Sequence, residues 1–372
     1  MNKAKISSAI LFLINMLGFC FIGYFCGYFF GEDENIGKFL IDVGFVFIAA
    51  GFAMLAHIIL HETGHLIFGL MTGYKFNSFR VFNLMWQKDS DGKIRRYKFS
   101  LAGTAGQCIM SPPEMKDSKI PFFWYNIGGV LMNLFLAVLF TVIYFIFKGN
   151  SYFHFVCLSF IILGLSTGLS NGLPLPEITN DGRNIVELSK SEKAVKSFYM
   201  QMQAIVMIQN GIRIKDFPEE WFEMPTDETL KNVICCVMAV FVCDKLFDEG
   251  KYSESQSTID MLLNKETAVD NIHKQLLKVN ALFCELTGDK NKSKIENYLD
   301  DDLKNFMKAM QDYPSIIRTQ YAYEMLYNND IQAAQKQMDL FEKVALKYPY
   351  KSEIKAEREC IALAAQIFAD RG

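Results

Sequence analysis

Charge is missing from the first long stretch of this chain. No Asp, Glu, Lys or Arg occurs between Ile6 and Phe30, in a protein where these residues make up 21% of 372. A signal peptide does not account for the gap, because its apolar core would be about half as long and no A-x-A site follows. Cys20 follows Phe19, which also argues against lipoprotein processing. C-x-x-C pairs are absent too. The nine cysteines are odd in number and scattered, so a disulfide framework is not expected. A reducing compartment suits at least the five from Cys235 onward. With a net charge of -3, no global basic excess points to nucleic acid, and none is expected as a partner.

What the chain does have is apolar length. A bilayer core of roughly 30 Å takes about 20 helical residues. Four runs satisfy this, at residues 6–30, 39–71, 121–147 and 152–170. The second is broken only by Asp42 near its start and a His/Glu cluster near its end, and Pro174 and Pro176 close the fourth. Between the second and third lies a polar segment, residues 73–119. KFNSFRVFNLMWQ reads as a strand, DSDG as a turn and KIRRYKFSLAG as a returning strand, giving a β-hairpin. The small residues of the AGTAGQ that follows permit close backbone approach.

Lysine and arginine set the orientation. Lys3 and Lys5 precede the first run, the GEDENIGK loop after it is mostly acidic, and the 73–119 segment carries nine basic residues from Lys75 to Lys119. Both termini and the hairpin are therefore expected in the cytoplasm of a bacterial cell. The second and fourth spans both run inward, so their C-terminal ends share a face.

From about Asn184 the composition turns soluble and helical. Residues 1–184 are expected to form a membrane domain, and 185–372 a cytoplasmic α-helical domain. Asn232–Cys243 is apolar but too short to span, and reads as a buried helix. EGKYSES, TGDKNKS and NNDIQAA recur as turns at 249, 287 and 328, intervals of 38 and 41 residues. That spacing is TPR-like, the period of helix-turn-helix solenoids, although no strict tetratricopeptide consensus is met. An irregular helical bundle is the alternative. The expected fold class is mainly α: about four transmembrane helices, a small β-hairpin insertion and a helical soluble domain.

The chemistry concentrates in HIILHETGHLIFG, His57 to Gly69. His61-Glu62-x-x-His65 puts two imidazoles on one helical face, about 6 Å apart along the axis, where both can reach one ion. Glu62 is rotated off that face, as a general base acting on water would be. Such groups inside a membrane span are expensive and usually functional; helix packing by a polar cluster is the bland reading. His57 lies about 12 Å of rise from His65, too far for easy shared coordination, and is expected to be a supporting or merely packed residue. His154 and His273 are expected to be ordinary.

A zinc site needs a third protein ligand. Asp181 is the first aspartate after the fourth span, and the topology brings it to the inner face. Asp181-Gly182 reads as a turn aiming a carboxylate, with a helix cap as the alternative. Glu177, Asp89 and Asp91 are rival ligands. Asn171, near the end of the fourth span, is an amide able to hydrogen-bond a substrate carbonyl or developing oxyanion.

Here the sequence resembles a known family. HETGH in an early span, GGVLMN (Gly128 to Asn133) in the next, and NGLPLP followed by Asp181-Gly182 look like the signatures of the site-2 protease family of intramembrane zinc metalloproteases. Gly129 and Asn133 match the ends of the middle signature, with Val130 at its proline position, and two extra residues precede Asp181. The similarity covers about residues 40 to 185. It implies that His61, His65 and Asp181 bind zinc, that Glu62 activates water, and that Asn171 assists. The polar hairpin resembles the family's membrane-associated sheet. No PDZ or CBS-like sequence is seen.

The expected activity is thus cleavage of a transmembrane or membrane-associated peptide near the cytoplasmic face, in contact with the lipid bilayer. Gly103, Gly106, Gly128 and Gly129 would give room for an extended substrate strand, and the hairpin edge could pair with it. The helical domain would recruit a protein or peptide partner. The alternative is a membrane-anchored scaffold with an inactive or structural metal site, which would not need Glu62. A metal transporter is a third reading, for which four spans with one clustered site make a poor pathway.

Overall fold

The computed structural model describes residues 3–31, 35–101, 104–176 and 179–370. It is mostly helical, with a small antiparallel sheet, and divides into two compact units. The first comprises Met1–Val81 with Ala105–Glu192, and the second Phe82–Thr104 with Lys193–Gly372.

Among the described residues, four helices, all in the first unit, are long and apolar enough to cross a membrane. They are α1 (Lys3–Phe30), α2 (Ile36–Met71), α3 (Phe122–Ile146) and α4 (Ser151–Gly172). Asn35 caps α2, its side-chain oxygen accepting from the amides of Gly37 and Lys38. Asn150 caps α4 through the Phe153 amide. At 36 residues, α2 extends roughly 54 Å, well beyond what a bilayer core requires. Its exposed residues include Phe39, Leu40, Phe47, Ile48 and Phe52, while Asp42, His57, Glu62 and His65 are buried. Apolar outside and polar inside is the arrangement lipid demands. A short helix, α5 (Asp181–Lys190), follows.

Four strands lie between α2 and α3: β1 (Lys75–Val81), β2 (Leu84–Lys88), β3 (Ile94–Lys98) and β4 (Gly106–Ser111). The segment expected as one first strand is thus two. Phe82 takes a left-handed φ of 51°, unusual for a bulky residue, and the backbone turns there. DSDG makes the expected turn, with Gly92 at a φ of 80°, and β2 pairs with β3 from Leu84↔Lys98 to Lys88↔Ile94. In contrast, β1 pairs with β4, from Lys75↔Ser111 to Val81↔Gly106, with a bulge between Phe76 and Ser78.

In the second unit the β2–β3 hairpin packs on helices. Met85 and Phe99 join a core that includes Phe247, Leu262, Phe283, Ile317 and Phe341, and the Phe99 ring meets those of Tyr313, Tyr348 and Tyr350. The helices are α6 (Glu192–Gln209), α7 (Val237–Asp248), α8 (Tyr252–Asn264), α9 (Asn271–Thr287), α10 (Lys292–Tyr298), α11 (Asp301–Ala309), α12 (Pro314–Tyr323), α13 (Ile331–Ala345) and α14 (Lys351–Ala369). The short apolar stretch at Asn232–Cys243 does enter a buried helix, α7.

The TPR-like solenoid is not confirmed. Its three turns fall between helices as expected, but the elements between them differ. Two helices, α8 and α9, separate the first pair of turns. Three helices and a π-helical turn at Glu324–Asn328 separate the second. Near-equal spacing in sequence therefore joins unequal pieces. None of the nine cysteines is in a disulfide.

Candidate metal centre

The centre begins with close helix contact. Gly64 of α2 and Gly128 of α3 oppose each other, and a Cβ on Gly128 would lie 2.5 Å from the Gly64 carbonyl oxygen. Small residues let membrane helices approach at backbone distance. That approach carries the α2 face bearing His61 and His65 onto α3.

His65 has its tautomer fixed by α3. Its Nδ1 lies 2.7 Å from the Tyr125 carbonyl oxygen, an acceptor, so Nδ1 carries the hydrogen and Nε2 presents a lone pair. That Nε2 faces the His61 Nε2 at 3.2 Å. Asp181 completes the group, with Oδ2 at 3.2 Å from His61 Nε2 and Oδ1 at 3.5 Å from His65 Nε2. Candidate ligand atoms of the three residues all lie within 4.8 Å of one another.

Asp181 does not sit in the expected turn. It is the first residue of α5, and Asn180 before it is the cap. The Asn180 side-chain oxygen accepts from the Arg183 amide at 2.8 Å, while its nitrogen donates to the carbonyls of Ser170 and Leu173, both at 2.8 Å. One side chain thus starts α5 and ties it to the end of α4. Gly182 permits the approach, since a Cβ there would lie 2.6 Å from the Gly172 carbonyl carbon.

The donor set fits a zinc ion. The Asp181 Oδ2 is buried, and its one near polar neighbour among the described contacts is His61 Nε2 at 3.2 Å, which gives it no hydrogen bond of good geometry. A carboxylate oxygen left in this way is costly unless a cation meets it. Two imidazole nitrogens and a carboxylate that can converge on one point are the kind of three-residue donor set a catalytic zinc takes. His61, His65 and Asp181 would hold it.

Glu62 is buried beside this group. The β4 backbone covers it: a Cβ on Gly106 would lie 2.5 Å from Glu62 Oε1. Arg80 of β1, counted at the sequence level as one more loop cation, is only 1% exposed. It donates to the Gly106 carbonyl at 3.4 Å and interacts electrostatically with Glu62. Neither Arg80 nor Asn180 stands out in the sequence as a residue of this site. Asn180 followed directly by an acidic residue, Asp181, could have signalled a helix start with its cap, whereas nothing local signals that Arg80 is buried.

The other expected residues fall as follows. Asn171 donates from its amide to the Thr167 carbonyl one turn back, at 3.0 Å, and its described bonding does not reach the three ligands. Asp89 and Asp91 are occupied by Arg95, and Asp89 also by the Tyr97 hydroxyl. Glu177 and Gly103 lie outside the described residues. His57, fully buried, faces Asn133 and the Phe160 carbonyl. His273 pairs with Asp270 in the second unit.

Comparison with known proteins adds one finding. Residues 49–338 match the family model described as peptidase family M50, well beyond the stretch that carries the motifs. No curated protein and no solved structure matches the chain.

Proposed function

The chain belongs to peptidase family M50, the site-2 protease family, and from this we propose that it is a zinc-dependent intramembrane endopeptidase cutting a transmembrane or membrane-associated peptide near the cytoplasmic face. The family supports a membrane metalloprotease. The observation that carries the finer reading is the convergence of His61, His65 and Asp181 beside the buried Glu62.

When bound, zinc supplies a Lewis acid for the scissile carbonyl and its water. Glu62 takes the proton from the attacking water and delivers it to the leaving amine. The Tyr125 carbonyl holds the His65 ring, and Arg80 lends positive charge beside Glu62. A substrate must be unwound to expose its peptide bond. β4 stands at the end of the strand order and begins at Gly106, directly over Glu62, so an extended substrate segment added to β4 would run past the base. Asn171 would assist at the substrate carbonyl. The lysine and arginine distribution supports cytoplasmic termini, and the helical unit would recruit a protein or peptide partner.

The test is to identify membrane peptides that accumulate in cells expressing Glu62→Gln in place of the native chain. The reading expects one or more single-span peptides to build up. Indistinguishable membrane peptide profiles would count against it.

A further inference from the structure

His61 needs something His65 already has: a partner that puts the hydrogen on Nδ1 and leaves Nε2 for a cation. The side chain at that nitrogen is Asn133 of α3, 3.1 Å away through its amide group, and the Gly129 backbone is a further hydrogen-bond partner of the ring. The other end of the same amide lies 3.2 Å from Nδ1 of His57. Nε2 of His57 lies 2.9 Å from the Phe160 carbonyl of α4. A continuous polar chain thus runs from the α4 backbone through His57 and Asn133 to the candidate ligand.

The two orientations of the amide are not equivalent. With Nδ2 toward His61, the amide donates to Nδ1, so the ring hydrogen must sit on Nε2, which then cannot bind a cation. That orientation also leaves His57 facing two acceptors, Asn133 Oδ1 and the Phe160 carbonyl. Satisfying both would require an imidazolium at a fully buried position whose described partners are neutral. A half-turn of the amide, which scarcely changes its shape, resolves both conflicts. Oδ1 accepts from His61 Nδ1–H, Nδ2 donates to a neutral His57 Nδ1, and His57 Nε2–H donates to Phe160.

We propose that Asn133 and His57 are positioning residues that together set the tautomer of His61 for metal binding. This rests on the zinc reading of the site. Steric evidence agrees, because both rings are seated against glycine. A Cβ on Gly129 would lie 2.6 Å from His61 Cε1, and one on Gly164 would lie 2.7 Å from His57 Cε1. Asn133 and His57 are each 1% exposed or less, so neither partner is available from solvent.

The test uses the full chain in detergent, loaded with zinc and titrated with a competing chelator, together with the visible spectrum of the cobalt-substituted protein. Asn133→Leu should weaken zinc binding about 10–100-fold and alter the cobalt spectrum, as loss of a ligand's hydrogen-bond partner does. Asn133→Asp, whose oxygen can still accept from His61, should recover most of the affinity. His57→Leu should weaken binding, and combining it with Asn133→Leu should add little. Native affinity in both leucine variants, with binding lost in His61→Ala, would overturn the relay and leave the metal site standing. Equal losses in Asn133→Asp and Asn133→Leu would also overturn it. A native chain that binds no zinc would remove the metal reading and the relay together.

Discussion

The Asp181 carboxylate meets the His61 imidazole across 3.2 Å, although α3 and α4 lie between them in the chain. The contact exists because Asn180 fastens the start of α5 to the end of α4, while Gly64 and Gly128 draw α2 against α3. Two segments, α2 with both histidines and α5 with the carboxylate, thereby bring three candidate ligands to one point.

Removing the carboxylate tests that point. Asp181→Ala should lower zinc affinity by more than the roughly 10–100-fold cost of an outer partner, because a ligand itself is lost. Chelator competition on the purified full chain measures this. Native affinity in the variant would exclude Asp181 from the site.

Asn180 supports the same ligand from behind. Asn180→Ala should cost about 1 kcal/mol for the lost helix cap, and the freed carbonyls of Ser170 and Leu173 add to this. Zinc affinity should fall with it, since α5 is no longer held in place. Thermal melting and zinc content of the variant check both expectations.

Gly129 provides room for His61. In Gly129→Ala the new methyl would stand 2.6 Å from the ring, so the ring or α3 must move. The expected cost is about 1–3 kcal/mol, with much of the bound zinc lost. Gly44→Ala, on α2 with no neighbour within 4 Å of the new carbon, is the control and should keep the zinc and lose no stability.

The helical unit carries a pH dependence of its own. Burial pushes the carboxyl of Asp244 up to about 7, helped by nearby Glu357 and Asp248 and opposed by His273 and Arg318. Burial likewise pushes Glu353 up to about 7, with Glu357 and Asp244 adding to the effect and the Tyr348 hydroxyl opposing it. Both groups hold protons in the folded chain that the unfolded chain releases from about pH 4 upward. Stability should therefore fall as pH rises from about 4 to 7, then level off, by several kcal/mol, since each pKa unit between the folded and unfolded states is worth about 1.4 kcal/mol. Asp244→Asn combined with Glu353→Gln should flatten the profile. Melting of the full chain in detergent from pH 5 to 8 reads this directly, and the same slope in both proteins would contradict it.

The parts legible in the sequence were those set by short-range rules. Long apolar runs marked four membrane-length helices. The i, i+4 spacing put His61 and His65 on one face, and the alternating direction of the spans put Asp181, after the fourth, near their end of the second. The rest depends on contacts between segments. No local rule says that KFNSFRVFNLMWQ breaks at Phe82, or that β1 takes β4 as its partner instead of the returning strand. Arg80 looks like any loop cation until β4 and Glu62 close over it. The near-equal turn spacing suggested repeats, yet it measures chain length and not the number of helices between turns. Asn133 could be matched to a motif, but its position between two histidines follows only from the packing of α2, α3 and α4.

The central claim is that Glu62 works as the base at a zinc site held by His61, His65 and Asp181. The most direct measurement takes native and Glu62→Gln proteins, confirms equal zinc content, and incubates each with a single-span substrate. The account predicts one zinc per chain in both and cleavage by the native protein alone. Equal cleavage by both would contradict it.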